Sequence, residues 1–277
     1  MGAGVSGSSL PAWSTLGGVA ERMLPSRWPH PVTRGWAFDG STGRGVRVCV
    51  IDSGVERDHP RVGALDGAMV AEVAGDRRAR VVPDESGDVA GHGTACAGII
   101  RALAPDCALH AVRVLGPDAT GTGAALLAGL AWAVNQGFDV INLSLSTRKR
   151  ELVDALREIS DEAYFQRSLL VASAHNIAVA SFPWRFASVV SVGCHEADDP
   201  LDFRYNPRPP AEFFARGVDV EVAWLGGGTS VATGNSFAAA HLAGISALLL
   251  ANHPGLTPFE VKSLLYLTAS NVGGDPA

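Results

Sequence analysis

The sequence lacks the signatures of several protein classes. No stretch approaches the roughly 20 apolar residues that a membrane-spanning helix needs, and the most apolar run, residues 245–251, is far shorter. Basic residues are not in excess, since the formal net charge is −6, which argues against a nucleic-acid partner. No C-x-x-C pair marks a zinc site. We therefore expect no membrane, nucleic-acid, metal or cofactor partner.

The N-terminal region also lacks a secretion signal. Its start, Met1 to Leu10, contains no Lys or Arg, and Glu21 and Arg22 interrupt it before an apolar core of about 7–15 residues could form. We therefore predict a cytoplasmic protein. Disulfides are rare in the cytosol and free cysteines are usually buried, so we expect buried, reduced thiols. The cysteines are Cys49, Cys96, Cys107 and Cys194.

Length and composition indicate one folded domain preceded by an arm. The 277 residues are 47% hydrophobic and 18% charged, which is ample for the core of one α/β domain. Residues 1–30 are rich in Gly, Ser, Pro and Trp and show weak periodicity, and we interpret them as an N-terminal arm. Residues 31–277 contain no repeat and no low-complexity linker, so we predict that they form one domain.

Short apolar runs alternate with helical patterns along this domain. The predicted strands are residues 46–51, 109–115, 139–145, 169–174 and 189–192. The predicted helices are residues 94–103, 124–136, 151–159, 236–251 and 257–269. Strands that alternate with helices favour a mainly parallel central sheet covered on both faces, which is a three-layer α/β/α fold.

Two segments contain candidate acid–base residues. Asp52 follows the first strand within Val-Ile-Asp-Ser-Gly-Val and could orient a histidine, although Asp and Gly also favour simple turns. His92 lies in Gly-His-Gly-Thr at a helix start, where the helix dipole weakens its hold on a proton. A core or capping role for His92 is the alternative.

A third segment contains a candidate nucleophile. Ser236 opens an almost purely apolar helix within Gly-Asn-Ser-Phe-Ala. Backbone N–H groups at a helix start suit a developing oxyanion. The alternative is that Ser236 only caps the helix.

Together the three segments resemble the subtilisin-like serine peptidases, or subtilases. The chain order Asp, His, Ser is the order for which subtilisin is the known example. Asp52-Ser53-Gly54 matches the D-S/T-G motif of that family, residues 92–94 match H-G-T, and residues 234–238 match G-T-S-x-A with one departure. The resemblance runs from about residue 33 to residue 270.

The resemblance implies a subtilisin-like fold and a peptide or protein substrate. Ser236 would be the nucleophile, His92 the general base, and Asp52 the group that orients and stabilises the imidazole. The Ser236 backbone N–H and the Asn176 side chain would bind the oxyanion, although Asn176 could instead cap a loop. The residues implied to bind substrate are Ser144, Leu145, Ser146, Ala174 and His175. The arm within residues 1–30 becomes a candidate short propeptide.

Several positions depart from the family pattern. Asn235 replaces the usual threonine before the nucleophile, and Ala240 replaces a helix proline. Ser146 and Thr147 replace glycines, and His175 replaces the glycine before Asn176. The first two changes are compatible with a serine nucleophile. The changes at Ser146, Thr147 and His175, which lie in the expected cleft, and the lack of a secretion signal favour a selective enzyme, such as one that removes leader peptides.

Two alternatives to hydrolysis stay open. The fold could serve as a binding or scaffold module with little catalysis, although an intact triad argues against that role. The same acyl-enzyme could also transfer to an amine, as in a peptide macrocyclase. Oligomeric state leaves no signal in the sequence.

The resemblance also generates a prediction about calcium. Many subtilases bind calcium through a loop that interrupts the helix after the catalytic histidine and through an aspartate after D-S-G. Residues 99–105 carry no such insertion, and Arg61 stands where the aspartate would be. Calcium needs several oxygen ligands, so a crystal soaked in calcium should show no ion beside this helix. A well-occupied calcium there would refute the prediction.

Overall fold

A computed structural model describes residues 28–74 and 79–272. The strands are β1 (Arg47–Asp52), β2 (Gly67–Val73), β3 (Ala79–Pro83), β4 (Ala108–Arg113), β5 (Val140–Leu143), β6 (Leu169–Ser173), β7 (Val190–His195), β8 (Phe203–Tyr205), β9 (Phe213–Arg216), β10 (Val220–Trp224) and β11 (Gly228–Ala232). Nine of them form one sheet in the order β3-β2-β4-β1-β5-β6-β7-β9-β8, and β10 pairs with β11. The pairs β2/β3 and β8/β9 are antiparallel, and the interior pairs are parallel.

Helices cover both faces of the sheet. They are α1 (Arg34–Phe38), α2 (His92–Leu103), α3 (Gly123–Asn135), α4 (Val153–Phe165), α5 (Asn235–Asn252) and α6 (Pro258–Thr268). Buried residues of α3 and α4 share one apolar core, and those of α1, α2, α5 and α6 share the other. The predicted three-layer α/β/α architecture with a mainly parallel sheet is confirmed. No helix in the described ranges is long and apolar enough to cross a membrane.

Strand β1 shows why the interior strands are continuously apolar. Successive side chains of a strand point to opposite faces. Accordingly, Val48 and Val50 pack in the α2/α5 core, while Cys49 and Ile51 pack in the α3/α4 core. The four apolar side chains of β1 are therefore buried alternately by the two helical layers, and the strand ends at Asp52.

Helix α5 lies at the centre of its layer. Residues Phe237 through Leu250 are all buried, as expected of a helix that is apolar all round. It approaches α2 closely at Gly244, where an added Cβ would lie 2.8 Å from a methyl carbon of Leu103. This close packing holds the middle of α5 against the end of α2.

Most predicted elements are confirmed, with shifted bounds. Asp52 is the last residue of β1 rather than the residue after it, and α4 begins at Val153 rather than Glu151. Gly137 follows α3 with a φ of +66°, and Thr257 caps α6 through a capping box. The antiparallel pairs were not predicted.

The structure places all four cysteines but describes little of the predicted arm. All four cysteines are free, and three are buried, whereas Cys194 is only half-buried. Burial raises the pKa of the Cys107 thiol to about 11, so this thiol stays protonated. The predicted arm, residues 1–30, lies mostly outside the described residues.

Truncation of a central α5 side chain tests this packing. Leu242 is fully buried, so Leu242→Ala should lower the free energy of unfolding by about 2–5 kcal/mol through lost apolar burial and a residual cavity. Val231, which is 66% exposed on β11, provides the control, since Val231→Ala should change stability by less than about 0.5 kcal/mol. Equal effects in urea unfolding would contradict the assigned core.

Candidate active site

Strand ends and helix starts converge at one edge of the sheet. Asp52 ends β1, Ser144 directly follows β5, and Asn176 lies three residues after β6. Helices α2 and α5 begin at the same edge and bring His92 and Ser236 to it. Ligand sites of parallel α/β sheets lie outside the carboxyl ends of the strands, so this edge is the candidate active site.

Asp52 and His92 are in direct polar contact at the centre of the site. His92 Nδ1 lies 2.8 Å from Asp52 Oδ1 and 2.9 Å from Oδ2. The Asp52 carboxylate is only 1% exposed, and it also accepts a 2.7 Å hydrogen bond from the Ser53 backbone N–H. This arrangement fixes the ring orientation and leaves His92 Nε2 for another partner.

Close backbone packing keeps Asp52 and His92 together. A Cβ at Gly93 would lie 1.9 Å from the Gly54 carbonyl oxygen, so only glycine fits there. Gly91, the residue before α2, has a φ of +90°, which favours glycine. The glycines that flank His92 are thus required by this geometry.

Asp88 organises the start of α2, and the sequence analysis missed it. Its Oδ1 accepts hydrogen bonds from the Gly91 N–H at 2.9 Å and from the Ser53 hydroxyl at 2.8 Å. Its Oδ2 accepts from the Thr94 N–H and hydroxyl, at 2.8 and 2.5 Å. An Asp shortly before a helix start is a capping signal, and it would have identified this residue.

The pKa of His92 is raised above its ordinary value. The main cause is the negative charge of Asp52, which burial opposes, and the hydrogen bond to Asp52 and the charge of Asp88 add to the rise. The helix dipole was expected to weaken the hold of His92 on its proton, but the net direction is a rise, and its first cause is the negative charge of Asp52.

Ser236 is the second residue of α5, and Gly234 is the N-cap, so the capping alternative is wrong. Its hydroxyl donates a 3.0 Å hydrogen bond to the Ser144 carbonyl, and the Ser144 hydroxyl donates 2.9 Å to the Ser236 carbonyl. Within the described residues the Ser236 hydroxyl makes no hydrogen bond to His92. It must leave Ser144 to do so, and such catalytic contacts are often loose without substrate.

Asn142 supports this contact from inside the sheet. It is fully buried in β5, and its Nδ2 donates a 3.0 Å hydrogen bond to the Ser144 hydroxyl. Asn142 thus supports the end of β5 through a side-chain contact.

Two groups are placed to bind an oxyanion. Asn176 Oδ1 accepts a 3.1 Å hydrogen bond from the Asn235 backbone N–H, which leaves the donor end of this exposed amide for a ligand. The Ser236 N–H lies at the positive start of α5, and it donates to no atom of the described residues. The loop-capping alternative for Asn176 is also partly right, since its side chain ties the loop to α5.

A cavity of about 720 Å³ extends from this edge. Leu145, Ser146 and His175, three of the predicted substrate-binding residues, line it. Ser144 and Ala174 do not line it. Ser144 instead contacts Ser236, and the Ala174 carbonyl accepts a hydrogen bond from Asn235.

One set of atoms has the spacing of a metal site. Ligand atoms of Asp52, His92 and Cys96 lie within 4.8 Å of one another. Burial holds the pKa of the Cys96 thiol well above its ordinary range, which keeps it protonated, and Asp52 already accepts from His92 and Ser53. The chemistry of the set thus fits proton transfer better than metal binding.

A buried carboxylate, an oriented imidazole and a serine at a helix start define the class of serine hydrolases. The sequence pattern of the subtilase family matches residues 43–277. The chain is 30% identical over 249 residues to subtilisin DY of Bacillus licheniformis, covering 84% of this chain and 87% of that protein. It is 31% identical over 252 residues to a subtilisin of Bacillus pumilus, with the same coverage.

A solved structure agrees with these relatives. A cold adapted subtilisin-like serine proteinase superposes with a TM-score of 0.67 at 28% identity, over 85% of this chain and 88% of that one. The chain therefore belongs to the subtilase family, and its fold is subtilisin-like. It is a serine endopeptidase that acts on peptides or proteins.

The Asp52–His92 contact predicts a pH profile. A general base must be neutral, so kcat/KM should fall as the pH drops through the raised His92 pKa, above the ordinary 6.5. Asp52→Asn removes the negative charge that raises the His92 pKa, so the lowering effect of burial dominates. The acid limb of the kcat/KM profile should therefore move to lower pH, and kcat should fall by roughly 10⁴-fold.

The control is Asp106→Asn, which removes an exposed carboxylate that pairs with Arg44, away from the site. This variant should keep the wild-type profile and rate. An acid limb that stays in place in Asp52→Asn would contradict the assignment.

Proposed function

We propose that Asp52, His92 and Ser236 form the catalytic triad of this serine endopeptidase. The observation that carries the proposal is the pair of short contacts, 2.8 and 2.9 Å, between the His92 Nδ1 and the buried Asp52 carboxylate. Such a contact selects the tautomer that presents Nε2 as the proton acceptor and stabilises the imidazolium that forms.

The chemistry follows from these positions. The Ser236 oxygen attacks the substrate carbonyl carbon while its proton passes to His92 Nε2. The Asn176 amide and the Ser236 N–H stabilise the oxyanion of the tetrahedral intermediate. As the C–N bond breaks, His92 gives its proton to the leaving amine, and a water activated by His92 then hydrolyses the acyl-enzyme.

We also propose that the enzyme is selective and processes a precursor or leader peptide in the cytoplasm. The cavity of about 720 Å³ is lined by Ser146, Thr147 and His175, the three departures from the family pattern in the cleft. Arg148 and Lys149 add positive charge to the same lining. Bulkier and cationic walls narrow the range of peptides that fit and favour acidic side chains.

A fluorophosphonate probe tests the triad. It should label the wild-type protein at Ser236, and Ser236→Ala should abolish both labelling and peptide hydrolysis, because the proposed nucleophile is removed. Ser230→Ala, which removes a serine hydroxyl of the preceding strand β11, should leave labelling unchanged. Labelling that persists in Ser236→Ala would refute the proposed nucleophile.

Substrate profiling tests selectivity. A defined precursor peptide with acidic residues before the scissile bond should be cleaved much faster than casein, and Lys149→Glu should reduce that preference. Product masses should show the added water of hydrolysis rather than a cyclic product. Rapid, unselective digestion of casein would contradict the processing role but leave the triad assignment intact.

A further inference from the structure

We propose that Asn235, the residue before the predicted nucleophile, is a positioning residue that holds the oxyanion-binding loop in place. The loop comprises residues 174–176 and lies between β6 and the cleft. The inference rests on the proposed roles of Ser236 and Asn176. It gives a function to Asn235, which has none in the proposed mechanism.

The Asn235 side chain ties three parts of the fold together. Its Oδ1 accepts a 2.8 Å hydrogen bond from the Cys194 N–H in β7. Its Nδ2 donates to the Ala174 carbonyl at 3.1 Å and to the His175 carbonyl at 3.2 Å. A single carboxamide, at the first turn of α5, thus fixes two consecutive carbonyls of the loop.

The Asn235 backbone makes a second kind of contact with the same loop. Its N–H donates a 3.1 Å hydrogen bond to Asn176 Oδ1. A planar amide whose oxygen is held in this way has its NH₂ end fixed as well. Asn176 Nδ2 lies beside the start of α5, since it would be 3.7 Å from a Cβ added at Gly234. Asn235 therefore sets both the loop backbone and the direction of the donor.

Two departures from the family pattern meet in this contact. His175 stands where the family has glycine, and its carbonyl is bonded by Asn235, which stands where the family has threonine. A threonine hydroxyl has one proton to donate, whereas the asparagine amide donates two and accepts one. The two substitutions act together. The longer side chain of Asn235 makes two hydrogen bonds to a loop in which His175 replaces the smaller glycine.

The expected consequence lies in the transition state rather than in substrate binding. An oxyanion donor acts only when charge develops on the substrate oxygen. Loss of the donor itself costs about 10²–10³-fold in turnover in subtilisin. Loss of its support should cost less, so Asn235→Ala should lower kcat by about 10–10²-fold and change KM by less than about threefold.

A double-mutant cycle separates this role from a general structural one. If Asn235 acts through Asn176, then Asn235→Ala should cost less than about threefold in kcat when Asn176 is already alanine. If Asn235 only stabilises the fold, the losses should multiply, and the proposal is wrong. Should Asn235→Ala fail to fold, Asn235→Thr keeps one hydroxyl and is taken through the same cycle with the same criteria.

The chain offers a matched control at Asn206. Its Nδ2 donates to the Arg208 and Ala211 carbonyls at 2.7 and 2.8 Å, and its Oδ1 accepts from the Arg208 N–H at 3.0 Å. It lies in the loop before β9, at the amino ends of the parallel strands and so opposite the cleft. Asn206→Ala should lower the melting temperature much as Asn235→Ala does and leave kcat unchanged.

Two kinds of failure remain distinguishable. Peptide hydrolysis that survives Ser236→Ala would overturn the proposed function. Hydrolysis that depends on Ser236 but is unaffected by Asn235→Ala, or that is lowered equally by Asn206→Ala, would overturn only the role of Asn235.

Discussion

The site depends on one buried charge, the carboxylate of Asp52. An ionised carboxylate with 1% exposure is costly unless donors surround it, and removal of a partner from a buried pair costs about 3–5 kcal/mol. Here the donors are the His92 ring and the Ser53 N–H. Because His92 is the first residue of α2, this requirement fixes the helix against the end of β1. The glycine contacts at Gly54 and Gly93 make that approach sterically feasible.

The remainder of the site follows from the parallel topology. Strand ends at one edge supply a carboxylate, a backbone carbonyl and a loop amide, and the starts of α2 and α5 supply an imidazole and a hydroxyl. The Ser236 hydroxyl donates to the Ser144 carbonyl in this structure, and Asn142 in turn donates to the Ser144 hydroxyl. The Ser236 hydroxyl is thus held at the end of a central strand of the sheet. The Asn235 side chain likewise ties the loop of residues 174–176 to α5 through two hydrogen bonds.

Much of this arrangement was predictable from the sequence, because its signals are local. Strands that are buried on both faces appear in the sequence as continuous apolar runs. The order of Asp52, His92 and Ser236 identified the family. The antiparallel pairs were missed because their burial is mixed, as in β11, where no residue is buried. Asp88 was missed although its capping signal was local, whereas the contacts of Asn235 join residues about 40 to 60 positions apart. The rise in the His92 pKa was not predicted because its main cause, the charge of Asp52, lies on β1, 40 positions away in the chain.

The most direct test of the proposed site is a crystal structure with a peptide boronic acid, which mimics the tetrahedral intermediate. We expect a covalent bond from boron to the Ser236 oxygen, with the hydrogen bond from Ser236 to Ser144 broken. One boron oxygen should lie within 3.2 Å of both Asn176 Nδ2 and the Ser236 backbone nitrogen, distances typical of a hydrogen bond at about 2.7–3.2 Å. His92 Nε2 should face the serine oxygen. A boron bonded to another residue, or an oxygen directed away from Asn176, would contradict it.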